Sequence, residues 1–271
     1  MTAEPSPLQP AIDRFAWASG HLDRIHELVR AFRATALEIS DHPVPDGRIQ
    51  RIARVTTVPP PVIGYALGDC LQQFRAVLEN AVGLLRIDGP TKQSAYPVSE
   101  TELSWKSTGK SRLDGLPEWA VEAIKSLQPF APGPGSQVGH EVSRLHELAI
   151  RDRHRALLVV AAVADLGYIE TLAGAPPTRW WRQDLQTLVV EYQSGYEPPV
   201  IDCRLNLLLD EQIDDDGSGL ELVSPSEGAG DGTVSGLPRF TVVQHGAAAQ
   251  LAVAAVLDHL ENARRIADGG D

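Results

Sequence analysis

The chain contains little cysteine and no long hydrophobic run. Its 271 residues include two cysteines, Cys70 and Cys203, and neither belongs to a CxxC pair. The N-terminus lacks the basic start and apolar stretch of a signal peptide, so the sequence predicts a reduced cytoplasmic protein without a structural disulfide. Its apolar runs are too short for a membrane span, which requires about 20 residues. We therefore expect no membrane association.

Positive charge is also scarce. The chain has 24 basic and 36 acidic residues, and its formal net charge is −12. A protein this acidic is repelled from nucleic acid at long range, which argues against general nucleic-acid binding. However, several arginines concentrate between residues 144 and 155, so a local basic groove stays open as an alternative. The low lysine content, with abundant Ala, Gly, Pro and Val, is typical of a protein from a GC-rich bacterial genome.

The order of the predicted elements indicates an α+β protein in which long helices pack with a small antiparallel sheet and a C-terminal helix. Residues 1–10 include three prolines and are predicted to be a disordered tail. Residues 11–271 are predicted to form one domain, with a helical part at about 11–173, a β-rich part at about 180–245 and a closing helix at 246–268. Apolar periodicity gives the individual elements: helices at 9–40, 62–86, 118–127, 138–172 and 246–268, and strands at 48–58, 185–193, 200–209, 219–223 and 240–244.

The third long helix carries a polar stripe opposite an apolar one. At 100° per residue, the stripe comprises His140, Arg144, Glu147, Arg151 and His154. Histidines and arginines in this density are typical of a site wall, where an imidazole acts as acid or base and guanidinium groups hold an anion. The alternative is a solvated helix face, since Glu147 and Arg151 have the i,i+4 spacing of an ordinary surface ion pair.

The second helix supplies the opposite wall of the predicted cleft. Asp69 and Asn80 lie on its polar face, and Arg75 borders the apolar face. An arginine at that position usually needs a carboxylate, from Glu79 or Asp152, and such a pair could be purely structural. We take the candidate binding set to be Asp69, Arg75, Asn80, Glu147, Arg151, Asp152 and His154, with Arg75 and His154 as the catalytic pair if the protein is an enzyme.

Two motifs on these helices resemble a bacterial family without an assigned function. GDCLQQFRAVLENA begins at Gly68 and LHELAIRDRHR begins at Leu145. In the family they run approximately GDCLHNLRSALDHL and LHELxNIDKHR. The resemblance covers residues 10–170 well and the rest of the chain loosely.

The first family motif also resembles the RxxxxH signature of HEPN-type helical proteins, many of which are ribonucleases. There the arginine and histidine act in metal-independent RNA cleavage, often across a dimer interface. The resemblance implies that Arg75 is the arginine, but Asn80 stands at the histidine position. An amide has no proton to exchange near neutral pH, so Asn80 cannot act as acid or base. His154 is the alternative histidine.

No other motif indicates catalysis. His146 and His154 are eight residues apart, not the four of a zinc-binding HExxH, and no phosphate loop or GxSxG is present. We therefore expect no metal and no cofactor. The sequence favours a non-catalytic module that binds a small anionic ligand, a protein partner or a second copy of itself as a homodimer. A HEPN-like metal-independent ribonuclease is the alternative, and a purely structural role is the third reading.

Overall fold

The fold is described from a computed structural model. The structure describes residues 6–89, 95–154, 159–170, 179–184, 187–193, 200–209 and 241–269. The first five residues of the predicted tail and the predicted strand at 219–223 lie outside these residues.

The contacts of the chain divide it into two compact units. The helical unit comprises Met1–Ile25, Tyr65–Ala156 and Gln244–Asp271, and the β-rich unit comprises His26–Gly64 and Leu157–Val243. The predicted α+β class is confirmed, whereas the single domain stays a prediction. The helices are α1 (Gln9–Ala36), α2 (Val62–Leu84), α3 (Glu102–Ser104), α4 (Glu118–Ser126), α5 (Gly135–His154) and α6 (Val242–Ala267).

The core of the helical unit is built on α2. Its buried side chains recur every three or four residues, as in Leu67, Leu71, Phe74 and Leu78. The Phe74 ring lies 5.9 Å from the Phe15 ring of α1, centroid to centroid. Burying this stripe, rather than helix propensity, supplies most of the stability of such a helix.

Helix α6 runs antiparallel to α1 within the helical unit. Near the start of α6, Gly246 lies against Leu22 of α1 and Leu67 of α2. Near its end, Glu261 accepts a 2.6 Å hydrogen bond from the hydroxyl of Ser6, which precedes α1. The N-terminal residues from Ser6 onward are therefore part of the helical unit, and Leu8 is fully buried. This corrects the predicted tail, which extended to residue 10.

The connection between α2 and α4 contains three short helical turns. Helix α3 is followed by a π-helical turn at Trp105–Gly109 and a 3₁₀ turn at Lys110–Leu113. The π turn packs Trp105 into the unit, with its ring 6.3 Å from that of Phe130. The 3₁₀ turn carries Arg112, which is exposed.

In the described part of the β-rich unit the strands form two antiparallel sheets. One has the strand order β1 (Leu37–Pro43), β2 (Arg48–Val55), β5 (Thr187–Gln193) and β4 (Arg179–Asp184). The other pairs β3 (Val159–Glu170) with β6 (Val200–Leu209). Strands β2, β5 and β6 fall where alternation of apolar residues predicts them.

The first hairpin corrects the predicted helix at 9–40. Helix α1 ends at Ala36, and the next residues form β1. Val44-Pro-Asp-Gly47 makes the turn of the hairpin between β1 and β2. Gly47 has φ +78°, a conformation that side-chain-bearing residues rarely adopt. Asp41 pairs across the hairpin with Arg51 at 2.7 Å, which lowers the pKa of Asp41.

The third long helix is also shorter than predicted. Helix α5 ends at His154, and residues 159–170, predicted as its continuation, form β3. The predicted strand at 240–244 is wrong as well, because α6 begins at Val242. Within the described part of the chain, no helix has both the length and the apolar character needed to cross a bilayer.

Candidate functional site

Two polar contacts fix the register of α2 against α5. A β-carbon at Gly68 of α2 would overlap with the Asp152 carboxylate of α5, so glycine lets this carboxylate lie directly against the α2 backbone. One turn further along α2, Gln72 donates a 2.5 Å hydrogen bond to the carbonyl oxygen of Ala149. Residue numbers rise along α2 while they fall along α5, so the two helices are antiparallel. The family-like motifs therefore face each other.

Arg75 lies one turn beyond Gln72 and is the central residue of the site. It is 4% exposed. Its Nε donates to Glu79 at 3.1 Å, and its Nη2 donates to the carbonyl oxygen of Tyr96 at 2.5 Å. Its Nη1 is buried and has no hydrogen-bond partner among the residues that the structure describes. Burial lowers the pKa of Arg75, and Glu79 opposes this effect.

Tyr96 and His146 complete a cluster around the Arg75 guanidinium. The Tyr96 hydroxyl is buried, and within the described ranges it has no hydrogen-bond partner. Burial raises the pKa of Tyr96, and nearby Arg75 opposes the rise. Burial, with a further contribution from the positive charges of Arg75, Arg112 and Arg153, lowers the pKa of His146 to about 4. At neutral pH the cluster therefore holds a neutral phenol and a neutral imidazole among guanidinium groups.

The other predicted site residues lie at varied depths. Asp152 contacts Gly68 of α2. Gly68 precedes Arg75 by seven residues, so this contact lies about 10 Å from Arg75 along the α2 axis. Asn80 is half-buried, and its position on α2 is rotated by about 140° from that of Arg75. Asp69 and Glu147 are exposed, and Arg151 is half-buried.

His154 ends α5, eight residues and about 12 Å along the axis from His146. The His154 side chain lies outside the described residues.

The residues of the predicted polar stripe on α5 differ in their surroundings: some are exposed to solvent, and one acts on a histidine of α6. His140 and Glu147 are exposed, which fits a solvated helix face at those two positions. Arg144 is half-buried, and its charge acts on His245 of α6. His245 is 2% exposed. Burial lowers its pKa to about 4, and the charge of Arg144 contributes to the decrease.

This burial predicts acid sensitivity through His245. In the unfolded chain a histidine takes up its proton near pH 6.5, whereas folded His245 does so near pH 4. Its contribution to stability is therefore complete above about pH 7 and is lost as the pH falls from 6.5 to 4. Between pH 7 and pH 5, His245 alone is expected to lower the free energy of unfolding by about 2 kcal/mol.

Urea denaturation of wild type and His245→Gln at both pH values measures this contribution. The variant should lose about 2 kcal/mol less than wild type on acidification. The exposed His140→Gln variant should behave like wild type. Equal acid sensitivity of all three proteins would contradict a depressed pKa at His245.

The sequence analysis missed Tyr96, Arg112 and His146 as members of the cluster. For Tyr96 and Arg112 the sequence gives no signal, because both lie in irregular connections. For His146 the sequence did contain a signal. It is rotated by about 40° from Val142 and 60° from Ala149, both buried, so it is a histidine within an apolar face. Glu79, one of two predicted partners of Arg75, is confirmed; it lies on the same helix, so this pair does not join two helices.

Among the described residues, no group of three His, Cys, Asp or Glu side chains could hold a metal ion. Comparisons with protein-family models, curated proteins and solved structures found no match. The resemblances of the two helix motifs therefore stay predictions, and the arrangement of the side chains is the available guide to function.

Proposed function

We propose that the protein is a non-catalytic binding module that takes a small anionic ligand at the polar contact between α2 and α5. The observation that supports this most strongly is Arg75, a buried cation whose Nη1 has no partner among the described residues. Burying a charge costs free energy unless it is paired and hydrogen-bonded. Glu79, the carboxylate in contact with Arg75, is itself 42% exposed and bonds to a different nitrogen. An anion at Nη1 would offset this cost.

The surrounding charges support the same proposal. Arg112 and Arg153 act on His146 together with Arg75, so positive charge gathers here in a chain of net charge −12. Arginine is well suited to hold oxyanions because its planar fork donates two parallel hydrogen bonds. We assign the ligand contacts to Arg75, Arg112 and His146. Gly68, Gln72 and Asp152 would hold the two helices in register.

A titration with sulfate tests the proposal without knowledge of the natural ligand. Ionic strength is held constant with chloride, and binding is followed by calorimetry at pH 6.0. Wild type should give a saturable signal. Arg112→Gln should weaken sulfate binding about threefold to fivefold, because Arg112 is exposed and its charge is screened. Arg265→Gln removes the same charge from an exposed site on α6 and should bind like wild type. Absence of a saturable wild-type signal would contradict the proposal.

The second candidate function is a HEPN-like, metal-independent ribonuclease. It is favoured by the proximity of a histidine, His146, to Arg75, although Asn80 replaces the histidine of the motif. A histidine with a pKa of about 4 is neutral at pH 7, so it cannot donate a proton and is a weak base. This is why we prefer binding to turnover. RNA cleavage in EDTA that disappears in His146→Gln would favour the nuclease.

A protein partner or a homodimer is the other form that a binding role could take. The proposal also includes a reducing, cytoplasmic location, because Cys70 is a free and buried thiol. Burial raises the pKa of Cys70 to about 12, so this thiol stays protonated and unreactive. Analytical ultracentrifugation with and without sulfate distinguishes self-association from ligand binding to one chain.

A further inference from the structure

The Arg75 cluster offers hydrogen bonds of two kinds. Arg75 Nη1 and the Tyr96 hydroxyl are buried, and neither has a partner in the part of the chain that the structure describes. The positive charge of the same guanidinium acts on the Tyr96 phenol, and its Nη2 binds the Tyr96 carbonyl oxygen. A buried polar group without a partner costs about 1–3 kcal/mol. A single oxyanion that accepts hydrogen bonds from both groups would remove this cost for each of them.

His146 adds a group whose protonation depends on the surrounding charges. It is half-buried on α5 and is acted on by Arg75 from α2, by Arg112 from the 3₁₀ turn and by Arg153 from its own helix. Glu79 contacts this group of cations through Arg75. Burial, together with these three positive charges, lowers the pKa of His146 and keeps its imidazole neutral at pH 7. The guanidinium groups repel a protonated His146. A dianion bound among them would attract it, and the imidazole could then hold a proton.

We propose that the Arg75–Tyr96–His146 cluster is a proton-linked site for a tetrahedral oxyanion carrying two charges, of the kind present in phosphomonoesters, free phosphate and sulfate. The inference rests on the function proposed above. Arg75 Nη1 and the Tyr96 hydroxyl donate to two oxygens of the anion. His146 takes a proton from solvent as the anion binds, and the imidazolium then donates to a third oxygen. The complex therefore contains one proton more than the separate protein and dianion.

Calorimetry of sulfate binding in two buffers of different ionisation enthalpy tests this linkage. Sulfate carries no proton in this pH range, so any proton taken up must go to the protein. If the anion restores the ordinary histidine pKa of 6.5, about three quarters of a proton is taken up at pH 6.0. The affinity should then be about fourfold higher at pH 6.0 than at pH 7.5. Acetate, with a single charge and two oxygens, should bind more weakly at both pH values.

Two variants assign the proton to a residue. His146→Gln keeps a polar side chain of similar size but does not titrate, so proton uptake and the pH dependence should disappear. His140→Gln changes an exposed histidine on the same helix and should keep both. A second readout needs no variant: the His146 ring resonances of wild type should report a pKa near 4 without sulfate and a higher pKa with it.

The outcomes separate this inference from the proposed function. No sulfate binding at either pH overturns both. Saturable binding without proton uptake, equal at pH 6.0 and 7.5, overturns the inference alone. Proton uptake that persists in His146→Gln overturns the assignment to His146. Glycerol phosphate and inorganic phosphate distinguish the sources, because tighter binding of the ester indicates a phosphorylated organic ligand.

Discussion

Replacing Gly139 with alanine is expected to lower the free energy of unfolding of the helical unit by about 3 kcal/mol. Gly139 lies in the second turn of α5, where the helix passes the chain that follows α4. A β-carbon at this position would lie 2.5 Å from backbone atoms of Gln128 and Pro129. Backbone atoms cannot rotate away as a side chain can, so α5 would have to shift. Urea denaturation followed by circular dichroism measures the loss.

Gly20→Ala is the matched control for this prediction. Gly20 also lies within a long helix, α1, but a β-carbon there would meet nothing within 4 Å. Alanine should therefore stabilise the protein by about 0.5–1 kcal/mol, through helix propensity alone. The two identical substitutions are predicted to change stability in opposite directions. A neutral or stabilising Gly139→Ala would show that α5 does not pack closely on that chain.

Arg75→Met is expected to abolish most anion binding while changing stability little. Methionine fills a similar volume and removes the cost of a buried charge. The Tyr96 carbonyl oxygen loses its donor, which opposes this gain, while Glu79 is exposed enough to be solvated. We expect a change within about 1 kcal/mol in the free energy of unfolding. Loss of a charge-assisted contact of about 1.5–3 kcal/mol corresponds to sulfate binding weaker by about 10-fold to 100-fold. Denaturation and calorimetry on the same samples measure both quantities.

The stability of Arg75→Met also addresses the structural reading of this residue. If Arg75 only holds the Tyr96 segment to α2 through its bond to the Tyr96 carbonyl oxygen, the methionine variant should be clearly less stable. Wild type should then also lack a sulfate response. Weak binding with near-normal stability is the result that a binding site predicts, because the arginine is then retained for its ligand.

Strong apolar periodicity made some of the fold predictable. Helix α2 was expected at 62–86 and is found at Val62–Leu84, because its buried residues repeat without interruption. Strand β6, expected at 200–209, is found at Val200–Leu209. The turn residues that flank an apolar stretch of this length favour a strand over a helix.

Elsewhere the sequence did not distinguish a helix from a strand, because an uninterrupted apolar run shows neither helical nor strand periodicity. Residues 156–163 are all apolar, so they fit a helix extending α5 as well as the strand β3 that is found. The hairpin after α1 was missed for a different reason. Its tight turn at Gly47 contains the same proline and glycine that also end helices.

The site was predicted in part. The sequence placed Arg75 at the border of the core because of its position among apolar neighbours, and named Glu79 as a partner. It selected the α5 histidines that lie on the polar stripe and not His146, which lies on the apolar side. Tyr96 and Arg112 approach Arg75 through tertiary folding of connections without periodicity, which no pattern within the chain encodes.

The most direct test of the binding site is the side-chain ¹⁵N signal of Arg75 during a sulfate titration at constant ionic strength. If an anion binds at its guanidinium, the Nε–Hε resonance should shift saturably, with the same midpoint as the calorimetric titration. The resonance of Arg265 on α6 should not shift with that midpoint. An Arg75 signal that stays constant while other arginines respond would contradict the account.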